Sequence, residues 1–335
     1  MSSPLQKTAR IGRLVNDTVA VLDLDLTGLT VLTEVGSGPY LLTPLIALIG
    51  GAKHVFAWTR DSAYGLADSI VADCIGLANQ LGISVAELEF ALNDRPPEHV
   101  AAADIITNSG FIRPIDASLL GNARKNRVVI PLMFEAWEWR DDDVDREYCA
   151  QHGILLGGTF ENYEPLRIFD QCGLLAVKLL LEAGLEVVGN NIVIFSSDQF
   201  GPVVESALKC AGAEAATYSD PQAAYLDMAD ADALLLCDYH ESRPFFGEGG
   251  IFDLARLTSI AKGLTVVHMM GDVDFELVHG SGFTVFPERQ GRPRSMTYTL
   301  AYLGPRPVIQ LQTAGLKVAE CLYRGIDHPI CQRII

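Results

Sequence analysis

Polar side chains able to bind a ligand gather where the apolar, strand-like segments of the chain end. Asn108, Ser109 and Arg113 follow the segment DIIT (104–107). A guanidinium can hold a carboxylate through two parallel hydrogen bonds, so Arg113 is a candidate substrate anchor, with Asn108 and Ser109 as further substrate-binding residues. The alternative is an ion pair between Arg113 and Asp116 at the protein surface.

Two glutamates three residues apart, Glu135 and Glu138, follow the apolar segment VVIPLM (128–133). If this piece is helical, the two carboxylates share one face. A carboxylate next to an indole ring, here that of Trp137, can have a raised pKa that suits acid–base catalysis. Both glutamates are therefore candidate catalytic residues. The alternative is a solvated pair of acids beside packed tryptophans.

The histidine best placed for proton transfer is His240, which follows LLLC (234–237) and lies between Asp238 and Glu241. Histidine is the side chain most often used as a general acid or base, so His240 is a third candidate catalytic residue. The alternative is an exposed loop histidine. His268 lies within an apolar, strand-like segment and is expected to be a buried histidine of the core.

A glycine-rich turn, Gly36-Ser37-Gly38, follows one strand-like segment and leads into a helix-like one. Backbone amides at such a turn can bind phosphate, which makes Gly36 and Gly38 candidate cofactor-binding residues. Roughly 20 residues later the next strand-like segment ends at Arg60 and Asp61, where an arginine can meet a 2′-phosphate and an aspartate can hold a ribose hydroxyl. A Gly-x-Gly turn after a strand-terminal acid also suits an adenosyl ligand. The alternative is a tight structural turn with Arg60 at the surface.

A second strand-to-helix turn reads SSDQFG from Ser196 to Gly201 and keeps only the last glycine of a dinucleotide fingerprint. Ser196, Ser197 and Gly201 are candidate cofactor-binding residues here. Asp272, after a later strand-like segment, is another. Asp198 stands at a fingerprint glycine and puts a negative charge where a pyrophosphate would lie. The turn predicts either a different mode of cofactor binding or the loss of the cofactor.

Composition and charge exclude several classes of protein. The formal net charge of −17 repels a phosphate backbone, so no nucleic acid partner is expected. The longest apolar run, 41–52, is shorter than the roughly 20 residues that span a bilayer, so no membrane partner is expected. Seven cysteines without a CxxC pair indicate reduced thiols and a cytoplasmic protein. The histidines are scattered without metal-binding spacing, so no metal site is expected.

Short apolar segments alternate with helix-like segments, which predicts parallel sheets with helices on both faces. The chain is long enough for two cores. We predict an α/β protein with two Rossmann-like, doubly wound parallel-sheet domains and an interdomain cleft. One domain comprises residues 1–163 and 306–335, because the apolar face of the final helix needs a partner; the other comprises residues 164–305. The predicted strands are 29–35, 54–60, 86–92, 104–109, 127–133, 154–159, 191–197, 214–219, 231–238, 264–270 and 283–287.

A resemblance to a known family rests on four segments. They are DIITNSGFIRPIDASLL (104–120), DDVDREYCAQHGILLGGT (142–159), the helix-like 166–184 and VVHMMGDVDFELV (266–278). In pattern the chain resembles the D-2-hydroxyacid dehydrogenase superfamily, the formate and glycerate dehydrogenase-like proteins, and more distantly S-adenosylhomocysteine hydrolase. The resemblance implies that residues 1–163 with 306–335 form the substrate-type domain and residues 164–305 the cofactor-type domain.

The chain departs from that family at several positions. Met270 stands where the family has an arginine before the glycine of its last cofactor-domain strand. Residues 275–300 offer no clear counterpart of the family's glutamate and histidine. Ser196 and Asp198 replace the first two fingerprint glycines. The family's hydride chemistry therefore does not transfer to this chain residue by residue.

Two hypotheses of function follow. The first is an NAD(P)-dependent oxidoreductase that binds NAD or NADP and acts on a small carboxylate-bearing metabolite in the interdomain cleft. Arg113 would hold the carboxylate, and His240 or Glu135 would move the proton. The second is a protein that has lost the usual NAD site and binds a nucleotide, another metabolite or an S-adenosyl ligand such as S-adenosylmethionine. The expected assembly is a C₂ homodimer, the commonest one for soluble proteins.

Overall fold

The computed structural model describes residues 4–335, with side chains from residue 7 onward. Contacts between Cα atoms divide the chain into two compact units. The first, here called the split unit, consists of Met1–Ile168 and Gly304–Ile335. The second, here called the middle unit, is Phe169–Leu303. The predicted boundaries lie after residues 163 and 305.

The strands are short, and most are buried on both faces. In chain order, those of the described residues are β1 (Thr30–Glu34), β2 (His54–Thr59), β3 (Leu88–Leu92), β4 (Ile105–Ile106), β5 (Val129–Pro131), β6 (Leu155–Thr159), β7 (Asn191–Phe195), β8 (Glu214–Tyr218), β9 (Ala233–Leu236), β10 (Thr265–His268), β11 (Thr284–Phe286) and β12 (Cys331–Arg333). Every residue of β9 and β10 is buried, as parallel strands under helices on both faces require.

Helices alternate with these strands, and several begin at an aspartate that accepts a backbone hydrogen bond. The helices of the described residues are α1 (Pro4–Leu22), α2 (Leu42–Ile49), α3 (Ala67–Leu81), α4 (Pro97–Ala102), α5 (Ala117–Leu120), α6 (Arg146–His152), α7 (Gln171–Glu182), α8 (Phe200–Cys210), α9 (Pro221–Asp227), α10 (Leu254–Ile260), α11 (Phe275–Gly280) and α12 (Pro305–Arg324). Asp145 caps α6 through the amide of Tyr148, at 2.9 Å. Within residues 4–335, no helix combines the length and the apolar character that crossing a bilayer demands.

The split unit contains a seven-stranded sheet in the order β3-β2-β1-β4-β5-β6-β12. Strands β1 to β6 are parallel, whereas β12 pairs antiparallel with β6, with Cys331 opposite Thr159. The order of the first six strands is the doubly wound order typical of dinucleotide-binding domains. The direction of winding reverses between β1 and β4.

The middle unit contains a five-stranded parallel sheet in the order β8-β7-β9-β10-β11. This is the flavodoxin-like doubly wound order, in which the winding reverses between the first and third strands, here β7 and β9. The predicted α/β class with two Rossmann-like parallel sheets is therefore confirmed.

Helix α12 forms the centre of the split unit. It packs against β5, β6, α1 and α2, and its residues from Pro307 to Leu322, apart from Leu311, are buried. The buried ammonium of Lys317 bonds the Glu320 carboxylate at 2.9 Å and the Asp23 carbonyl at 2.7 Å, so its charge is paired inside the core. Burial of each large apolar side chain on this helix stabilises the unit by about 2 kcal/mol.

Candidate functional site

Each sheet has one point at which its strand order reverses, and open α/β sheets bind ligands there, outside the carboxyl ends of the strands. In the split unit the strands at this point, β1 and β4, lead into residues 35–38 and 107–110. In the middle unit β7 and β9 lead into residues 196–201 and 237–241. The two places differ in whether their backbone amides are free to bind an anion.

The turn after β7 in the middle unit is closed by the Asp198 carboxylate. Its Oδ1 accepts hydrogen bonds from the Phe200 amide and the Ser196 hydroxyl, both at 2.9 Å, and its Oδ2 accepts one from the Tyr239 amide at 2.6 Å. The Ser196 Oγ in turn accepts the Gly201 amide at 3.1 Å. Burial raises the pKa of Asp198 above its usual value, against the effect of these hydrogen bonds.

A second carboxylate, that of Asp238, accepts four further hydrogen bonds at the ends of β7 and β9. Its Oδ2 accepts the amide and the hydroxyl of Ser197, both at 2.6 Å. Its Oδ1 accepts the amides of His240 and Glu241, at 3.0 and 2.9 Å. The two aspartate carboxylates thus accept hydrogen bonds from amides and hydroxyls that could otherwise bind a phosphate.

The amides of Ser196, Ser197 and Gly201, which are predicted cofactor-binding residues, donate to protein oxygens. Gly201 has a packing role instead. A Cβ at this position would lie 2.7 Å from Thr217 Cγ2 and 2.9 Å from the Ser196 Cβ. The one retained fingerprint glycine therefore lets α8 lie close to the sheet, which is the role of the third glycine in that motif.

Two further predicted site residues of the middle unit, His240 and Asp272, have different neighbours. The His240 side chain is exposed, with its ring 5.8 Å from the ring of Tyr239. The Asp272 carboxylate lies 3.4 Å from the Gln290 side-chain amide. His268 is fully buried, as predicted. Its Nε2 bonds the Pro287 carbonyl at 2.8 Å, and because a carbonyl only accepts, Nε2 carries the proton.

In the split unit the turn after β1 is open. Gly36 donates to the Tyr40 carbonyl at 3.4 Å, whereas within residues 4–335 the amides of Ser37 and Gly38 have no hydrogen-bond acceptor. Gly38 has a φ of +60°, and a Cβ there would meet no atom within 4 Å. Two free amides at the start of a helical segment, beside open space, form an arrangement that binds anions.

Glu34 ends β1 and lies across the end of β4. Its Oε1 accepts the Phe111 amide at 2.9 Å, and a Cβ on Gly110 would lie only 1.9 Å from its Oε2, so the carboxylate rests directly on that glycine. Burial raises the pKa of Glu34, while the Phe111 amide and the charges of Arg113 and Arg60 lower it. Two arginines are therefore close to the reversal point of a chain that is strongly acidic as a whole.

The end of β4 holds Arg113 against Asn108. The Arg113 Nε donates to the Asn108 Oδ1 at 2.6 Å, and its Nη2 donates to the Asn108 carbonyl at 2.9 Å. In place of the alternative ion pair with Asp116, the Arg113 Nε lies 3.3 Å from the Asp143 carboxylate, and the Asp116 carboxylate caps α5. Asn108 is 1% exposed, and its Nδ2 has no partner among the described residues. Ser109 Oγ accepts the Glu34 amide at 3.3 Å.

The predicted ribose-binding aspartate after β2 has structural partners. The Asp61 Oδ1 accepts the Ala67 amide at the start of α3, at 2.8 Å, and its Oδ2 accepts the Asn93 side-chain amide at 3.3 Å. Arg60 is exposed, as one alternative predicted, and its guanidinium lies 5.2 Å from the centre of the Phe111 ring. Arg60 is therefore exposed to solvent near the open turn. Asp61 connects the loop after β2 to the start of α3 and to the loop after β3.

The two predicted glutamates meet a third carboxyl group, that of Glu161. Glu135 is the N-cap of a single helical turn, Ala136–Glu138, and forms a capping box with Glu138. The Glu135 Oε1 accepts the Glu161 amide at 2.9 Å, and its Oε2 accepts the Gln332 side-chain amide at 2.7 Å. The pKa of Glu161 is raised well above its usual value, first by burial and then by the charges of Glu138 and Glu135. Burial and neighbouring negative charge thus favour the protonated form of Glu161 at the carboxyl ends of β5 and β6.

Sequence reasoning missed Glu161, although the same pattern that indicated Glu135 was present. Glu161 follows the predicted strand 154–159 by two residues, as Glu135 follows the strand before it. Within residues 4–335, no three side chains of His, Cys, Asp or Glu are grouped as a metal site requires. The seven cysteines are all free thiols.

Comparison with known proteins finds similarity in structure only. No family model matches the chain, and no curated protein matches it significantly. Pyruvate reductase from Chlamydomonas reinhardtii matches with a TM-score of 0.52 and 11% identity, over 92% of this chain and 99% of that one. One component of dipicolinate synthase from Bacillus halodurans matches with a TM-score of 0.51 and 12% identity, over 91% and 100%. NAD-dependent formate dehydrogenase from Staphylococcus aureus, solved in complex with NAD, gives 0.46 and 13%, over 91% and 99%.

Identities this low establish a common fold and leave the chemistry to be argued from the residues. The resemblance to D-2-hydroxyacid dehydrogenases that the sequence predicted is confirmed at that level. The chain therefore shares its α/β fold with pyruvate reductase and with this component of dipicolinate synthase.

Proposed function

We propose that the split unit binds a nicotinamide dinucleotide at the reversal between β1 and β4, and that the protein is an NAD(P)-dependent oxidoreductase acting on a small carboxylate-bearing metabolite. The observation that carries this proposal is the pair of free amides, Ser37 and Gly38, at the reversal point of a sheet with the dinucleotide-binding order. The corresponding amides of the middle unit are already bonded to Asp198 and Asp238. The sequence resemblance implied that the cofactor binds to the middle unit and the substrate to the split unit. The proposal assigns the cofactor to the split unit instead.

The residues of the split unit fit such a ligand. A pyrophosphate accepts hydrogen bonds from amides at the start of a helical segment, and the open space at Gly38 lets an oxygen approach the backbone. The guanidinium groups of Arg60 and Arg113 lie near enough to Glu34 to lower its pKa, so positive charge surrounds the turn. This local charge offsets the repulsion expected from a net charge of −17.

The other half of the sheet, β4 to β6, would face the nicotinamide and the substrate, since the two halves of such a sheet each take one nucleotide. The bound cofactor would supply a hydride. Arg113, whose orientation is set by Asn108, would hold the substrate carboxylate. The carboxyl cluster of Glu135, Glu138 and Glu161 would supply or accept the accompanying proton, because burial and the neighbouring carboxylates raise the pKa of Glu161 well above its usual value.

A second candidate function, nucleotide binding without redox chemistry, is favoured by one observation. Glu34 is a strand-terminal acid directly before the Gly36-Ser37-Gly38 turn, and this arrangement also suits an S-adenosyl ligand. Its carboxylate is buried and bonded to Phe111, so it is fixed beside the turn. S-adenosylmethionine therefore belongs in every binding measurement beside NAD(H) and NADP(H).

Replacement of Ser37 by proline tests the proposal. Ser37 has a φ of −77°, which proline adopts, and its amide makes no hydrogen bond within the described chain, so Ser37→Pro removes one donor with little strain. We expect the free energy of unfolding to change by less than about 1 kcal/mol. Dinucleotide affinity measured by calorimetry should fall about tenfold, as for one hydrogen bond to a charged group.

Ligand screening by thermal shift decides between the two functions. At 100 times its Kd, a true ligand stabilises the protein by about 2.7 kcal/mol and raises the Tm. A shift with NAD(H) or NADP(H) that Ser37→Pro weakens supports the oxidoreductase. A shift with S-adenosylmethionine alone supports the second function. If the wild type and Ser37→Pro bind a nicotinamide dinucleotide equally well, the turn is not its site.

A further inference from the structure

The C-terminal strand β12 brings a glutamine to the carboxyl ends of β5 and β6. Gln332 lies opposite Gly158 in the antiparallel pair of β12 and β6. Residues directly opposite each other in such a pair direct their side chains to the same face of the sheet. A Cβ on Gly158 would collide with the backbone of Ala136, so the glycine leaves room on this face for the turn after β5. The Gln332 side chain therefore reaches the turn that begins at Glu135.

The side-chain amide of Gln332 makes two hydrogen bonds of opposite sense. Its Oε1 accepts the Ala136 amide at 2.8 Å, and its Nε2 donates to the Glu135 Oε2 at 2.7 Å. The other oxygen of Glu135, Oε1, accepts the Glu161 amide at 2.9 Å. Both oxygens of this buried carboxyl group thus accept from N–H donors, which is how an ionised carboxylate bonds.

The Glu161 carboxyl group has the opposite surroundings. Glu161 is also buried, and in the described part of the chain its carboxyl group accepts no hydrogen bond. Burial raises the pKa of Glu161, and the charges of Glu138 and Glu135 raise it further. A buried carboxyl group without donors favours its neutral form, because the charged form loses more hydration. The two buried carboxyl groups therefore differ in the form that their surroundings stabilise.

We propose that Gln332 is a positioning residue, which keeps the negative charge of this pair on Glu135 and directs the proton to Glu161. The consequence for catalysis rests on the proposed function: Glu161 is the member of the cluster that exchanges a proton with the substrate, and Glu135 is its ionised neighbour. Two carboxyl groups whose surroundings favour opposite forms divide the acid and base roles in this way. The half-buried Glu138, whose Oε1 accepts the Glu135 amide at 3.3 Å, is the third member of the cluster.

Carbon NMR of the glutamate carboxyl groups, recorded on the full chain without ligand as pH is varied, tests this inference. Loss of a resonance in Glu161→Gln and in Glu135→Gln assigns the two signals. In the wild type we expect Glu161 to become protonated at a higher pH than Glu135. Gln332→Met has a side chain of similar length but no N–H group, so it removes one donor to Glu135. The ratio of molecules protonated at Glu135 to those protonated at Glu161 should then rise about tenfold, as for one hydrogen bond to a charged group.

Two further variants separate this role from a purely structural one. Gln151→Met is the matched control, because Gln151 is an exposed glutamine of the same unit whose side chain bonds nothing in the described chain. Gln332→Lys can donate to Glu135 but cannot accept the Ala136 amide. We expect the lysine variant to keep Glu161 as the first of the two groups to be protonated. If it behaves like Gln332→Met, Gln332 acts only by holding the backbone, and the inference is overturned.

The outcomes distinguish this inference from the proposed function. Urea unfolding checks that each variant is folded at the pH values of the titration. A wild type in which Glu135 is protonated before Glu161, or an unchanged ratio in Gln332→Met, overturns the role of Gln332 and leaves dinucleotide binding standing. If no nicotinamide dinucleotide binds, the proposed function is overturned, whereas the placement of charge and proton, measured without ligand, still stands.

Discussion

The Asp198 carboxylate accepts the Tyr239 amide at 2.6 Å and thereby joins the ends of β7 and β9, the two strands between which the middle sheet reverses. A ligand phosphate would need the same donors. In the split unit the comparable acid, Glu34, takes only the Phe111 amide and leaves Ser37 and Gly38 free. One reversal point is thus completed by the protein's own carboxylates, and the other is open to a ligand.

Asp198→Asn should destabilise the middle unit. An asparagine offers one acceptor oxygen, whereas Asp198 accepts at both oxygens, so one of the Phe200 and Tyr239 amides would face an NH₂ group. We expect a loss of about 2 kcal/mol in the free energy of unfolding, measured in urea. The exposed Asp230→Asn, whose side chain bonds nothing in the described chain, is the control. Equal stability of the two variants would contradict the role given to Asp198.

Gly38→Ala should separate backbone strain from ligand binding. Gly38 and Gly82 both have a left-handed φ, +60° and +71°, and a Cβ at either would meet no atom within 4 Å. Alanine should therefore cost each site about 1 kcal/mol of stability. Only Gly38→Ala should also weaken dinucleotide binding by calorimetry, because Gly82 lies at the end of α3, away from the open turn. Equal affinities of the two variants would argue against a ligand at Gly38.

Glu161 should make stability depend on pH in a defined direction. Its folded pKa lies above the ordinary value of 4.5, so the folded state favours the protonated carboxyl. This contribution is fully present below that ordinary value and is lost as pH rises through the folded pKa. Glu161→Gln stays neutral, so the stability of the variant relative to the wild type should be greater at pH 8 than at pH 5.

Urea unfolding at both pH values measures this difference. Glu164→Gln is the matched control, since Glu164 is exposed and three residues away. A Glu161→Gln variant whose stability runs parallel to that of the wild type across this range would contradict a raised pKa of Glu161.

His268 should remain neutral well below the pH at which histidine normally titrates. Burial lowers its pKa from 6.5 to about 4. Because the folded pKa is depressed, the contribution of neutral His268 to stability is complete above pH 6.5 and is lost as pH falls towards 4, to a total of about 3 kcal/mol. Nitrogen-detected NMR of the ring should show Nε2 protonated and Nδ1 bare at pH 5, as the bonds to Pro287 and Thr297 require. A doubly protonated ring at that pH would contradict this environment.

Much of the fold was accessible from sequence because apolar strands and glycine turns are local patterns. The predicted strands 29–35 and 191–197 contain β1 and β7, and the Gly36-Ser37-Gly38 turn leads into helical structure as expected. Strand β12 was missed, since its three residues, Cys331–Arg333, include two polar ones and pair only at the sheet edge. Helix α1 was missed because its amphipathic pattern begins before the first strand, outside the alternation on which the prediction relied.

The candidate site was harder to predict because its chemistry depends on partners distant in sequence. The pairing of Glu135 with Glu161 and Gln332 joins residues 26 and 197 positions apart. Asp198 was recognised as an obstacle to phosphate, but its bonds to Tyr239 across the reversal point could not be read from spacing. The split unit has the strand order typical of dinucleotide-binding domains. Strand order depends on pairing between segments that are distant in sequence, so local patterns do not predict it.

The position of α12 has a consequence for biosynthesis. Helix α12 (Pro305–Arg324), which packs against the seven-stranded sheet, is synthesised only after all of Phe169–Leu303. Domains generally fold as units while the chain emerges, so the middle unit is the first that can reach its native state. Until α12 has been synthesised, the apolar face of β5 and β6 that it covers stays exposed. At this stage the nascent chain should depend most on chaperones.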